Sequence, residues 1–169
     1  AMLVLQAPAS SPWSMLKLEA GLFAGNGIKQ ETDSKKDFIG HISLLKNWNT
    51  VSLGAGVSYY NGRVYQGTEK VYTMSGNGFR LSEQASNLGA FAKREYVGFD
   101  AQLGIRSAIG LTQIRGEYLF GQQPGAAGGS KSPNASSLPA TDTYIRDFQG
   151  GYAMLVQEPG NTPFALVGK

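Results

Sequence analysis

His41 and Ser43 stand two residues apart, a spacing that puts both side chains on one face of a β-strand. An imidazole so placed can take the hydroxyl proton and make the oxygen nucleophilic, which is the chemistry of acyl hydrolysis. Lipid-cleaving enzymes with a His and a Ser at this spacing continue with Asn-Gly, whereas Leu44-Leu45-Lys46 follows here. The strand phase also points His41 inward, away from lipid, and no orienting partner can be identified. No catalytic residue is assigned. Ser43-Leu44-Leu45-Lys46 matches the Ser-x-x-Lys spacing of penicillin-binding enzymes, but that motif opens a helix and this segment reads as strand. One histidine and no cysteine leave no usual zinc site. No phosphate-binding loop, dinucleotide fingerprint or HExxH is present, so neither a metal nor a cofactor is expected. Asn134-Ala135-Ser136 is a glycosylation-type triplet, of little meaning if the chain is bacterial.

A second set of residues bears on passage rather than on bond-breaking. Lys17, Glu19, His41, Arg94, Asp100, Arg106, Arg115 and Glu117 all fall on the polar phase of their segments. If that face lines water, these charges are the candidates for selectivity. Arg94, Arg106 and Arg115 suit an anion path, because a guanidinium matches phosphate or carboxylate geometry. The plainer alternative is that the cations and carboxylates pair with one another and hold the sheet in shape. With His41 neutral, the set carries a slight basic excess.

These residues need strands to position them, and the sequence supplies strands. Leu16, Leu18, Ala20, Leu22 and Ala24 alternate with Lys17, Glu19, Gly21 and Phe23. Val51, Leu53, Ala55, Val57 and Tyr59 alternate with Ser52, Gly54, Gly56, Ser58 and Tyr60. Val97, Phe99, Ala101, Leu103 and Ile105 alternate with Tyr96, Gly98, Asp100, Gln102, Gly104 and Arg106. Successive side chains of a strand point to opposite faces, so each segment has one apolar and one small or polar face. An apolar exterior around a wet interior is the pattern of a membrane barrel.

The alternation predicts strands at Met2–Gln6, Trp13–Ala24, Asp37–Lys46, Thr50–Asn61, Phe91–Arg106, Ala108–Gly121, Asp142–Val156 and Pro163–Lys169. Ala7–Pro12, Asn47–Asn49, Ser107 and Gln157–Thr162 are short connections rich in turn formers. Gly25–Lys36, Gly62–Ala92 (overlapping the next strand) and Gln122–Thr141 are long. Short and long alternate throughout, as periplasmic turns and extracellular loops do in a barrel. Gln122–Thr141 is close to low complexity. The loop from Gly62 carries Val64-Tyr65, Val71-Tyr72-Thr73-Met74 and Phe79-Arg80-Leu81. Its apolar content predicts a hairpin of its own, a constriction folded into the channel, or a lid on neighbouring loops. Trp13, Trp48, Tyr59, Tyr118, Phe120, Tyr144 and Phe148 lie near predicted strand ends, where interfacial girdles form.

The totals set bounds. At 169 residues the chain is read as one domain, 1–169. Its charged share of 16% is below the roughly 25% of soluble domains, while a mean hydropathy of -0.20 looks ordinary. That is what averaging over lumen, loops and lipid face produces. No apolar run reaches the roughly 18–20 residues of a membrane helix. The net charge of +3 is too mild, and its basic residues too scattered, to suggest nucleic acid. The strand count places both ends on the long-loop side. Bacterial barrels keep both ends on the other side, so an internal piece of a larger barrel is expected.

The stretch from Ser11-Pro12-Trp13 through Leu22-Phe23-Ala24-Gly25-Asn26-Gly27 resembles a strand of porin-like outer-membrane proteins from Bacteroidota. So do Leu53-Gly54-Ala55-Gly56-Val57-Ser58-Tyr59-Tyr60-Asn61-Gly62, Ile114-Arg115-Gly116-Glu117-Tyr118-Leu119-Phe120-Gly121-Gln122 and Phe164-Ala165-Leu166-Val167-Gly168-Lys169. The likeness is a style of strand that covers most of the chain, and it is similar to the phosphate-selective porins. It implies a larger antiparallel barrel in the bacterial outer membrane, passing small solutes or anions. The expected fold is therefore all-β, an antiparallel up-and-down meander forming part of a transmembrane barrel. The expected role is a passive diffusion pore for small hydrophilic solutes with an anion bias, not an enzyme. Its partners would be the lipid bilayer, the solutes and, in an oligomer, other copies of itself. The alternatives are a surface-displayed outer-membrane binding protein and a soluble β-sandwich that binds carbohydrate. The sandwich requires Leu18, Leu53 and Phe99 to be buried in a protein core.

Overall fold

The computed structural model describes residues 1–25, 35–128, 141–160 and 162–169. The Asn134 triplet, 129–140 of one expected long loop and 26–34 of another lie outside the described residues.

Alternating sequence becomes strand almost everywhere it was expected. The elements are β1 (Met2–Gln6), β2 (Leu16–Ala24), β3 (Lys36–Asn47), β4 (Val51–Tyr65), β5 (Lys70–Ser75), β6 (Gly78–Glu83), β7 (Phe91–Ser107), β8 (Gly110–Gly125), β9 (Thr143–Pro159) and β10 (Leu166–Gly168). They make a single 10-stranded sheet in the order β1-β2-β3-β4-β7-β8-β9-β5-β6, with β10 also paired to β9. The strands are long: β7 and β9 have 17 residues each and β8 has 16, against a usual length of about 5–6. β2 begins at Leu16 rather than Trp13. Ser14 N–H donates to Ser11 O at 3.0 Å and Leu16 N–H to Trp13 O at 2.9 Å, so the chain is still turning there. β10, Leu166–Gly168, is only the later part of the expected Pro163–Lys169 strand.

The expectation of a purely antiparallel meander needs correcting. β1 to β4 and β7 to β9 do form one. The segment between β4 and β7, however, folds as the β5–β6 hairpin, and β5 lies parallel to β9 through Val71↔Thr143, Tyr72↔Tyr144 and Thr73↔Ile145. The sheet is therefore mixed. β4 and β7 still pair directly along their whole lengths, from Val51↔Ile105 to Tyr65↔Phe91. Gly76 has a φ of 58° next to the closing pair Ser75↔Gly78. That is the glycine-first, two-residue turn whose twist suits a tight hairpin. Of the readings for the loop from Gly62, the hairpin is the one observed.

One sheet cannot bury both of its faces. Among the described residues only Val64, Val71 and Ala92 are buried hydrophobics. Registers carry one apolar row through Leu5, Leu18, Ile42, Val57, Phe99 and Tyr118, and another through Leu53, Leu103, Ile114 and Leu155. Leu18, Leu53 and Phe99 are 38%, 50% and 49% exposed. The apolar face is thus a continuous, uncovered belt. It gives way to Asn61, Glu95, Gln122 and Asp147 towards the long-loop end, where Gln122 Nε2 donates to Asp147 Oδ1 at 2.9 Å.

Candidate functional site

The opposite face holds the chemistry. Cross-strand registers place Lys17 beside Ser43, then Gly56, Asp100 and Glu117, with Glu19, His41, Ser58 and Gly98 in the next row. Arg115 sits beside Gln102, one step nearer the short turns, and Arg106 lies close to those turns. Arg94 lies near the other end, beside Gly62. All eight candidates from the sequence therefore share one face.

Half of them form a connected chain. Lys17 Nζ is 2.8 Å from Glu19 Oε1. His41 Nδ1 is 3.7 Å from Glu19 Oε2, and its Nε2 is 3.1 Å from Asp100 Oδ2. His41 is on β3 and Asp100 on β7, so the contact passes over β4. Gly56 makes that reach possible: a Cβ built there would collide with both His41 Nε2 and Asp100 Oδ2. Both imidazole nitrogens thus face carboxylates, Nε2 at hydrogen-bond distance and Nδ1 beyond it. Among the described residues no group of His, Asp and Glu is placed to hold a metal ion.

The other four candidates differ. Glu117 stands opposite Asp100 in register and is exposed. Like charges directly opposite on a sheet repel, a cost that Lys17 in the same row and Arg115 in the next offset. Arg115 Nη2 donates to Gln113 Oε1 along its own strand. Arg106 is exposed. Arg94 is a different kind of residue, only 4% exposed and paired with Asp37, itself 3% exposed. Arg94 Nη2 donates to Asp37 Oδ2 at 2.5 Å and to Gly25 O at 3.3 Å. The Tyr60 hydroxyl donates to the same carboxylate oxygen, and Arg63 N–H to Oδ1 at 3.4 Å. Tyr60 lies under the guanidinium, 5.1 Å from ring centroid to Cζ, and stacks on Tyr96 at 4.8 Å. A buried charge is tolerated when paired and hydrogen-bonded, and this one is both.

On the short-turn side of the mid-height chain the polar face hollows. Lys17, His41, Ser43, Asp100, Gln102 and Gln6 surround a hollow of about 370 Å³. A Cβ on Gly54 would meet Gln102 Cγ at 2.7 Å, and one on Gly98 or Gly104 would collide with Ser58 or Ser52. The glycines let neighbouring polar side chains lie flat against the sheet instead of standing away from it. Sequence reasoning listed Asp100 and His41 but missed Asp37, Gln102 and Gln6. Asp37 was legible by the step of two from Ile39 and His41, had the alternation been carried to the strand's first residue.

Searches of protein-family models, of curated proteins and of solved structures find no match to this chain.

The expected aromatic girdle divides between the faces. Phe38 and Tyr59 (6.4 Å), Phe99 and Phe120 (6.2 Å) and Tyr118 and Phe120 (6.1 Å) form an aromatic band on the apolar face. Trp13 and Trp48 are exposed at the short-turn end. Tyr144 and Phe148, by contrast, fall on the polar face, where Phe148 meets Tyr96 edge-on at 5.1 Å.

Proposed function

We propose that this chain is part of the wall of a transmembrane β-barrel in a bacterial outer membrane, and that the barrel is a passive diffusion pore for small hydrophilic solutes. One observation carries the reading: the large apolar side chains of the sheet are exposed in a belt, while its charged and glycine-rich face turns the other way. A soluble sandwich would have covered Leu18, Leu53 and Phe99. The belt on β4 runs from Val51 to Tyr59. At about 3.3 Å per residue and a tilt of about 35–45°, that is roughly 20 Å of height, close to the roughly 25 Å band of outer-membrane barrels. The likeness of its strands to Bacteroidota porin-like proteins points the same way.

Backbone groups in lipid need internal partners. The free edges at β1 and along β9 and β10 therefore pair with further strands of the same protein or of other copies. Flow is set by the width of the lumen and the charges along it. Arg94 is neutralised by Asp37, so of the eight wall residues Lys17, Arg106 and Arg115 oppose Glu19, Asp100 and Glu117. Those six balance, and Arg146 and Lys169 against Glu158 on the same face leave it a slight basic excess.

Planar-bilayer conductance tests the proposal. Stable ohmic steps are expected, with a reversal potential near zero across a KCl gradient. An inserted but silent protein overturns the pore, and the loops would then be the working surface of an outer-membrane binding protein.

A further inference from the structure

On the polar face of β9, Phe148, Gly150 and Tyr152 follow one another at every second position. Their partners on β8 are Gly121, Leu119 and Glu117. The result is a concavity of about 460 Å³. Its floor is Leu119 and Gly150, and its two ends are the rings of Phe148 and Tyr152. Gly150 is open above: a Cβ built on it meets nothing within 4 Å. The Glu117 carboxylate is exposed at one side, and the Lys169 ammonium lies 4.3 Å over the Tyr152 ring. An apolar floor between two rings, with polar groups of both signs at the rim, is the make-up of a small-ligand site.

The chemistry of the rim selects among solutes. A carboxylate and an ammonium together favour neither a net anion nor a net cation. They do offer acceptors and donors to hydroxyl groups, while the rings offer broad apolar faces. A molecule with an apolar C–H face and a ring of hydroxyls satisfies both halves. We infer that this concavity is a binding station for a neutral saccharide, one sugar ring seated over Gly150 between Phe148 and Tyr152, with Glu117 accepting from its hydroxyls. The assignment deepens the pore reading and rests on it for the solute's route to the wall.

Saturation-transfer NMR on the detergent-extracted full protein, with maltotriose as the probe and mannitol as the control, reads the seating directly. Mannitol has the hydroxyls but no rigid ring face. Saturation is expected on the C–H protons of maltotriose and at least tenfold less on mannitol. Gly150→Leu fills the hollow without meeting any neighbour and should abolish the maltotriose signal. Glu117→Gln, which keeps the shape, should weaken it severalfold. No transfer to maltotriose, equal transfer to mannitol, or a signal unchanged in Gly150→Leu overturns the inference. Should Gly150→Leu fail to fold, an unchanged signal in Glu117→Gln overturns it equally. A conducting protein without the maltotriose signal leaves the pore standing and removes the sugar. A silent protein with the signal removes the pore and keeps the site.

Discussion

The polar face is built in two ways at two heights. At mid-height, Lys17, Glu19, His41 and Asp100 lie flat over glycines and remain partly exposed, with side-chain exposures from 24% to 43%. Towards the long-loop end, Asp37 and Arg94 are almost sealed beneath Tyr60 and Tyr96. The charges are the same kinds in both places, but their surroundings differ. Exposed pairs contribute little to stability because water screens them, so in the proposed pore the mid-height chain is free to set the potential that a solute would feel. A sealed pair contributes nothing to such a potential, yet it cannot lose a partner without stranding a charge. The first region is suited to tuning and the second to holding the mouth of the sheet together.

Arg94→Ala should separate them most sharply. It leaves the Asp37 carboxylate buried without its cation, at a cost of about 3–5 kcal/mol. Urea unfolding in detergent should show that loss, and a midpoint close to wild type would mean that water enters the site. The apolar face provides the next contrast. Leu53→Arg puts a charge on the face that the pore reading turns to lipid, at a cost of about 2–4 kcal/mol near mid-bilayer, and insertion into vesicles should fail. Gln102→Arg, on the other face at similar height, should insert normally. Equal insertion of both would reverse the assignment of faces.

Smaller effects belong to mid-height. Gly56→Leu must push His41 away from Asp100, an overpacking of about 1–3 kcal/mol. The imidazole resonances of His41 should shift in NMR, and unmoved resonances would show that the contact does not depend on the glycine. Asp100→Asn should change stability by no more than about 1 kcal/mol. It should nevertheless move the reversal potential towards anion preference. A large loss of stability with no change in potential would make mid-height another structural clamp.

The strands were legible because a period of two is a local property of the chain. Met2–Gln6 was placed to the residue, and β3, β4 and β7 to within a few at each end. The common face of Lys17, Glu19, His41, Asp100 and Glu117 followed from the same count. The β5–β6 hairpin was visible only as apolar content. Its parallel seat on β9 was not, because alternation gives a strand's faces and not its neighbour or its direction. The candidate site was legible as a list and not as a set of partners. Nothing in the spacing of Arg94 separates it from Arg106. The difference lies in Asp37, two strands away on β3 and reached across Gly62 of β4, and in the rings that cover both.

The sequence by itself determined the period, the two faces and the placing of glycines on the polar one, since each follows from which residue is next but one. Tertiary structure alone decided which charges meet, which are sealed from water and where the polar face hollows between Phe148 and Tyr152. Those depend on register between strands distant in sequence, and register brings together side chains that no local pattern connects.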